Sequence, residues 1–176
     1  MNKGIARCTG DVVGFLHALD VFGGPQVLAT VAAAFADPAV CAVYGDLQYM
    51  RKQDLGQVVR HWRSTPFTRR QLAWGWMPPH PTLYVRRDWY RKIGGFDSRY
   101  RIAADYFSIL SLFSQPGFKA VYLQLVPAQS RHCRVAFEKH LDPTKGSSQR
   151  AWFLRSRNST RADGPVLVSG WQHGGS

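Results

Sequence analysis

Apolar positions along the chain follow two rhythms. Short continuous hydrophobic runs bounded by glycine or polar residues alternate with stretches in which apolar residues recur every three or four positions, the pattern of an α/β protein. Residues 11–16 (DVVGFL), between Thr9-Gly10 and His17, predict a buried strand, and residues 2–7 before it predict the last turns of a helix closed by Gly10. Pro25 suits a first helical position, and residues 25–37 carry Val27, Leu28, Val31, Ala34 and Phe35 at helical spacing until Asp37-Pro38 ends them. Residues 39–50 (AVCAVYGDLQYM) predict one β-rich run, with 56–63 (GQVVRHWR) as its hairpin partner across a polar turn.

The middle of the chain mixes aromatics, prolines and arginines with no single period. The spacing there predicts a short helix over 68–74, a rigid extended loop over 78–81, a strand over 82–85, and a helix over 87–93 stopped by Gly94-Gly95. A helix over 103–114 would turn Tyr106, Ile109, Leu110 and Phe113 inward and stop at Pro116-Gly117, with a last strand over 118–126. From Pro127 onward the periods fade into an Arg-, Ser- and Gly-rich stretch. The expected organisation is therefore an ordered domain over 1–126 and a poorly ordered basic tail over 127–176.

Composition narrows the classes. With 176 residues and 45% hydrophobic content, the chain can bury the core of one domain. The net charge of +12 invites a nucleic-acid partner, and "RHWRSTPFTRRQLAWGW" keeps a basic nucleic-acid-binding module as a rival reading. The basic residues are scattered and no nucleic-acid motif appears, so no nucleic acid is the expectation. Three cysteines without CxxC spacing argue against a disulfide scaffold or a structural zinc, and fit a reducing compartment. No apolar run reaches the roughly 20 residues needed to span a bilayer. A cytoplasmic protein is expected, with room for peripheral association at the inner face of a membrane.

Four places carry candidate chemistry. Asp20 follows the first strand, and carboxylates just beyond strand ends are where open α/β sheets place ligand and metal chemistry; an ordinary cap is the alternative. Asp46 follows the next β run in Tyr44-Gly45-Asp46, where a turn aspartate is equally open. His80 lies between Pro79 and Pro81, whose restricted backbones hold an imidazole at low entropic cost for contact with a phosphate or hydroxyl, or simply in the fold. Asp105 opens the helix over 103–114, where the helix N-terminus favours a carboxylate.

In order and spacing, "NKGIARCTGDVVGFLHALD", "VYGDL", "PPHPTLYVRRDWYRKIGGFD" and "IAADY" resemble the family 2 inverting glycosyltransferases of GT-A fold, especially bacterial enzymes of envelope and capsular polysaccharide synthesis. The resemblance covers about the first 126 residues. It implies a partial GT-A (Rossmann-like) three-layer α/β sandwich lacking the first nucleotide-binding strands, an amino-terminally truncated domain with weak nucleotide affinity. It also implies transfer of a sugar, with inversion, from a nucleotide-sugar donor to a saccharide or lipid-linked acceptor, with a divalent cation (Mn2+ or Mg2+) as cofactor. Residue by residue, it puts the cation on Asp20 and the general base on Asp105, with His17, Asp46 and His80 as substrate contacts. The family's acidic motif is altered here, because Leu19 stands in place of its first acid and His17 in place of its Asn. A degenerate, non-catalytic remnant is the alternative that these departures favour.

Overall fold

A computed structural model of the chain describes residues 1–51, 54–100 and 103–131, with Leu55 and Arg131 described by backbone alone. The order is α1 (Asn2–Arg7), β1 (Val12–Gly14), β2 (Asp20–Phe22), α2 (Val27–Ala34), β3 (Ala42–Tyr44), β4 (Leu47–Arg51), β5 (Asp54–Trp62) and α3 (Arg69–Leu72). A 3-10 turn (His80–Thr82) leads into β6 (Tyr84–Arg86), α4 (Arg87–Lys92), α5 (Ala104–Phe113), β7 (Ala120–Tyr122) and β8 (Ala128–Arg131).

The strands form two four-stranded sheets, ordered β1-β6-β3-β7 and β2-β8-β4-β5. In the first, β6 runs antiparallel to β1 and β3, and β7 runs parallel to β3. Alternation along its strands explains why both faces are covered. Ala42, Tyr44 and Val85 pack with Ile109, Leu112 and Phe113 of α5, whereas Val43 and Tyr84 pack with Val27 and Val31 of α2. Helix, sheet and helix make the expected three-layer α/β arrangement.

Three chain segments leave the first sheet and enter the second: the turn between β1 and β2, Gly45-Asp46 between β3 and β4, and residues 123–127 between β7 and β8. The last two run side by side, since Ala42–Tyr44 pairs in parallel with Ala120–Tyr122 and Leu47–Met50 with Ala128–Arg131. Gly45 is required at this seam, because a Cβ there would stand 2.5 Å from Pro127 Cδ and 2.6 Å from the Leu125 carbonyl oxygen.

Several expectations change in detail. Residues 39–50 form two strands in different sheets, because the chain crosses the seam at Gly45-Asp46. Asp20 begins β2 rather than lying in a loop. Of the expected extended loop over 78–81, Pro79 is extended but His80 and Pro81 enter a 3-10 turn, where the Thr82 hydroxyl lies 2.8 Å from the Pro79 carbonyl and 3.0 Å from that of Gly45 and shares its proton between them. Helix α5 buries Ser108, Ile109, Leu112 and Phe113, so Leu112 takes the place expected of Leu110, and Tyr106 is half-buried. The expected helix over 2–7 is present, but it ends at Cys8 rather than Gly10. Past the expected boundary at residue 126, β8 is an interior strand of the second sheet; the rest of the expected tail lies outside the described residues. Among the described residues no helix is long and apolar enough to cross a membrane.

Candidate active site at the seam between the sheets

The site is assembled around one buried imidazole. His80 is 6% exposed on the 3-10 turn, its ring stacked on Phe15 at 5.6 Å and met edge-on by Phe96 at 5.8 Å. Phe96 is itself fixed from the amino terminus: Asn2 Oδ1 accepts its N–H at 2.8 Å and Asn2 Nδ2 donates to its carbonyl at 2.7 Å. The turn Gly94-Gly95 makes this approach possible, with Gly95 at a φ of 75° and Asn2 Oδ1 2.8 Å from where its Cβ would be.

From this cage His80 reaches the Asp20 turn. Its Nδ1 lies 3.4 Å from Nε2 of His17, a contact between residues 63 apart in sequence. The backbone N–H of His17 donates to Asp20 Oδ2 at 3.2 Å, and the Asp20 N–H donates to the His17 carbonyl at 2.9 Å, closing the turn. Burial pushes the His80 pKa down to about 4, the nearby His17 adds to that, and the charges of Asp105 and Asp20 oppose it. At neutral pH the ring is uncharged, and its buried Nε2 has no hydrogen-bond partner. A buried polar atom left unpaired inside a fold costs stability, which is common where a ligand is the partner.

Asp105 occupies the second position of α5, where it accepts the N–H of Tyr106 at 2.8 Å through Oδ1. The residue before the helix, Ala103, supplies no side-chain cap. His17, Asp20 and His80 are joined by contacts between the β1–β2 turn and the 3-10 turn, and the charge of Asp105 on α5 acts on the His80 ring.

Asp46 has a different setting. It is buried, its Oδ1 accepts the Ser64 N–H and the Tyr122 hydroxyl, both at 2.8 Å, and its Oδ2 lies 3.2 Å from His61 Nε2. These partners belong to β5, its following loop and β7, so its observed contacts tie the seam together. His61, Ser64 and Tyr122 were not singled out from sequence, because the pairing that brings them to Asp46 has no local signature.

Asp20 is a single carboxylate, and among the described residues no three His, Cys, Asp or Glu side chains are grouped to hold a metal ion. One carboxylate would leave most ligands of a hard cation to be supplied by water or by a bound diphosphate. Beside the turn, a groove of about 570 Å³ runs between β1 and α2, lined by Phe15, Leu16, Phe22, Leu28, Val31 and Tyr84 among others.

No family model matches the chain. It is 34% identical over 106 residues to an uncharacterized glycosyltransferase of Mycobacterium tuberculosis, a match covering 60% of this chain and 39% of that protein. It is 30% identical over 129 residues to a PGL/p-HBAD biosynthesis glycosyltransferase of Mycobacterium bovis, covering 73% of this chain and 48% of the relative. The chain therefore spans less than half the length of these curated relatives. Its fold is similar to that of the mannosyltransferase PcManGT from Pyrobaculum calidifontis, solved with GDP-Man and Mn2+, at a TM-score of 0.52 and 17% identity over 92% of this chain and 44% of that one. Sequence and fold thus both point to glycosyltransferases, and the fold is the mixed α/β type of a Rossmann-like glycosyltransferase.

Proposed function

We propose that the chain acts in sugar transfer from a nucleotide-sugar donor to a saccharide or lipid-linked acceptor, with inversion, as a family 2 type glycosyltransferase of envelope polysaccharide synthesis. The observation that supports this reading is the cluster of Asp20, His17 and His80, whose ring also feels the charge of Asp105, in a chain whose relatives are named glycosyltransferases.

Inversion requires an acceptor oxygen to attack the anomeric carbon from the face opposite the leaving diphosphate while a base removes its proton. Asp105 is that base, held by a rigid helix that packs on the first sheet. Asp20 would hold a divalent cation, Mn2+ or Mg2+, which when bound supplies charge neutralisation to the departing diphosphate. His80, uncharged and with Nε2 unpartnered, offers a hydrogen bond to a sugar hydroxyl or phosphate oxygen, and its burial keeps the ring from turning. His17 links that ring to the Asp20 turn. Asp46 is proposed to contact substrate only through the groups it orders, since both of its oxygens are already engaged.

A non-catalytic reading has one observation in its favour: Leu19, beside Asp20, is an exposed apolar residue at 45% where a second acid would strengthen a cation site. Titration of a panel of GDP- and UDP-sugars separates the two. The transferase reading expects weak binding, visible at high donor concentration, that requires Mn2+ and weakens about tenfold or more in Asp20→Asn. Binding that is indifferent to both the metal and the substitution would contradict it.

A further inference from the structure

Two imidazoles meet nitrogen to nitrogen at the seam, and the transfer chemistry uses only one of them. His80 Nδ1 lies 3.4 Å from His17 Nε2, the ring centroids are 5.5 Å apart and the ring planes tilt by 35°. That separation is long for a hydrogen bond, which holds donor and acceptor at about 2.7–3.2 Å. It is the separation of two ligand atoms on one tetrahedral metal, because nitrogens bound at about 2.0–2.1 Å stand about 3.4 Å apart.

The surroundings suit such an ion. Phe15 stacks on the His80 ring with the planes 20° apart and Phe96 meets it edge-on, so this ring is held in place before any ligand arrives. His17 is exposed and gives an ion a way in from water, while its backbone is fixed by the hydrogen bonds exchanged with Asp20. Asp105 and Asp20 both act on the His80 ring as negative charges, which favours a cation beside it. For the uncharged pair no proton has to leave: as a metal enters, the proton between the rings moves to the other nitrogen of its own ring. Imidazole nitrogen suits Zn2+, Ni2+ and Cu2+, whereas the hard cations proposed at Asp20 prefer oxygen.

We propose that His17 and His80 form a two-histidine clasp for a divalent ion of the Zn2+ class, which ties the β1–β2 turn to the 3-10 turn. Among the described residues no group of three His, Cys, Asp or Glu side chains could hold a metal ion, so water completes the coordination and the ion is exchangeable rather than a permanent part of the fold. A metal held here joins residues 63 apart in sequence. It acts as any ligand of the native state does, raising stability as its concentration passes its dissociation constant. The clasp stands on the two rings alone and is independent of sugar transfer.

The alternative is a long ring-to-ring hydrogen bond with no affinity for metal. Titration of the whole chain with Zn2+, followed by NMR of the imidazole rings and by thermal melts, separates the two. His17 is assigned from His17→Ala, and His80 from the proximity of its ring to Phe15. The clasp predicts that both sets of ring signals move together and saturate, that the melting temperature rises with Zn2+, and that Mg2+ at the same concentration does neither. His17→Ala should weaken Zn2+ binding at His80 about tenfold or more, since losing a direct ligand costs no less than losing a group that orients one. His17 is exposed, so this variant keeps its fold and decides the matter. His80 signals that stay fixed up to about 1 mM Zn2+, or an unchanged affinity at His80 in His17→Ala, would overturn the clasp. So would a Zn2+ response lost in Asp20→Asn and kept in His17→Ala, which would assign the metal to the carboxylate. Donor binding with Mn2+ is titrated separately: its absence defeats the transferase reading and leaves the clasp standing.

Discussion

The two sheets use strands of similar composition to different ends. In the first, Ala42, Val43 and Tyr44 of β3 are all inaccessible, because α2 covers one face and α5 the other. In the second, Leu47, Met50 and Ala128 are buried among the described residues, while Val58 and Val59 of β5 are each 45% exposed. Its strands are joined by their backbone ladder and by polar contacts such as Gln129 Nε2 donating to Gln48 Oε1 at 3.0 Å. The first sheet is a packed scaffold with His80 on the turn that enters it, and the second begins at Asp20, whose turn reaches His80 through His17. Groups for a shared reaction belong on the rigid part, and recognition that differs between relatives belongs on the part whose substitutions cost little stability.

The largest effect that would test this contrast is Leu112→Ala in the first sheet's core, where the side chain has no exposure. It should lower unfolding free energy by about 2–5 kcal/mol in a denaturant titration; a change below about 0.5 kcal/mol would mean that α5 does not pack as described.

Next comes pH. Unfolded His80 takes up a proton near its ordinary value, whereas the folded residue resists until about pH 4. Its contribution is therefore present above about pH 6.5 and lost as pH falls toward 4, at most about 3 kcal/mol. The groups facing the ring, Asp105, Asp20 and His17, set the shape of that loss. His80→Gln should flatten the stability profile over this window, and a wild-type profile already flat there would contradict the buried neutral ring.

At the seam, Asp46→Ala strands the Ser64 N–H and the Tyr122 hydroxyl and should cost about 1–3 kcal/mol. Thermal melts of the variant would show whether this carboxylate is a structural tie, in which case stability drops before any effect on ligand binding is considered. Smallest of all, Val59→Ala on the exposed side of β5 should stay within about 0.5 kcal/mol of wild type. A larger loss would put the hairpin in a core, against the exposure of Val58 and Val59.

Much of the scaffold was legible because its signals are local. Pro25 and the apolar spacing after it announce α2, Gly94-Gly95 closes α4, and the two β-rich runs on either side of the expected turn at 51–56 announce the β4–β5 hairpin, which pairs antiparallel as expected although β5 begins earlier, at Asp54. What escaped depends on distant partners. Strands β2 and β8 have three and four residues, too few to show a period, and they pair with each other across more than 100 positions. The inward face of α5 was displaced from Leu110 to Leu112 because both fit a helical stripe, and only the sheet beneath selects between them.

The candidate site divides in the same way. Asp20, His80 and Asp105 could be singled out one by one from their flanking residues, but the contact between His17 and His80 could not. Nor could the commitment of both Asp46 oxygens to Ser64, Tyr122 and His61.

The central claim is that the seam transfers a sugar with Asp105 as the base. The direct measurement is turnover by the wild-type chain and by Asp105→Asn at high concentrations of nucleotide sugar with Mn2+, with the anomeric configuration of the product read by NMR. The wild-type product should be inverted, and Asp105→Asn should lose about a hundredfold or more in kcat with little change in KM. A retained anomeric configuration, or turnover by Asp105→Asn at the wild-type rate, would contradict it.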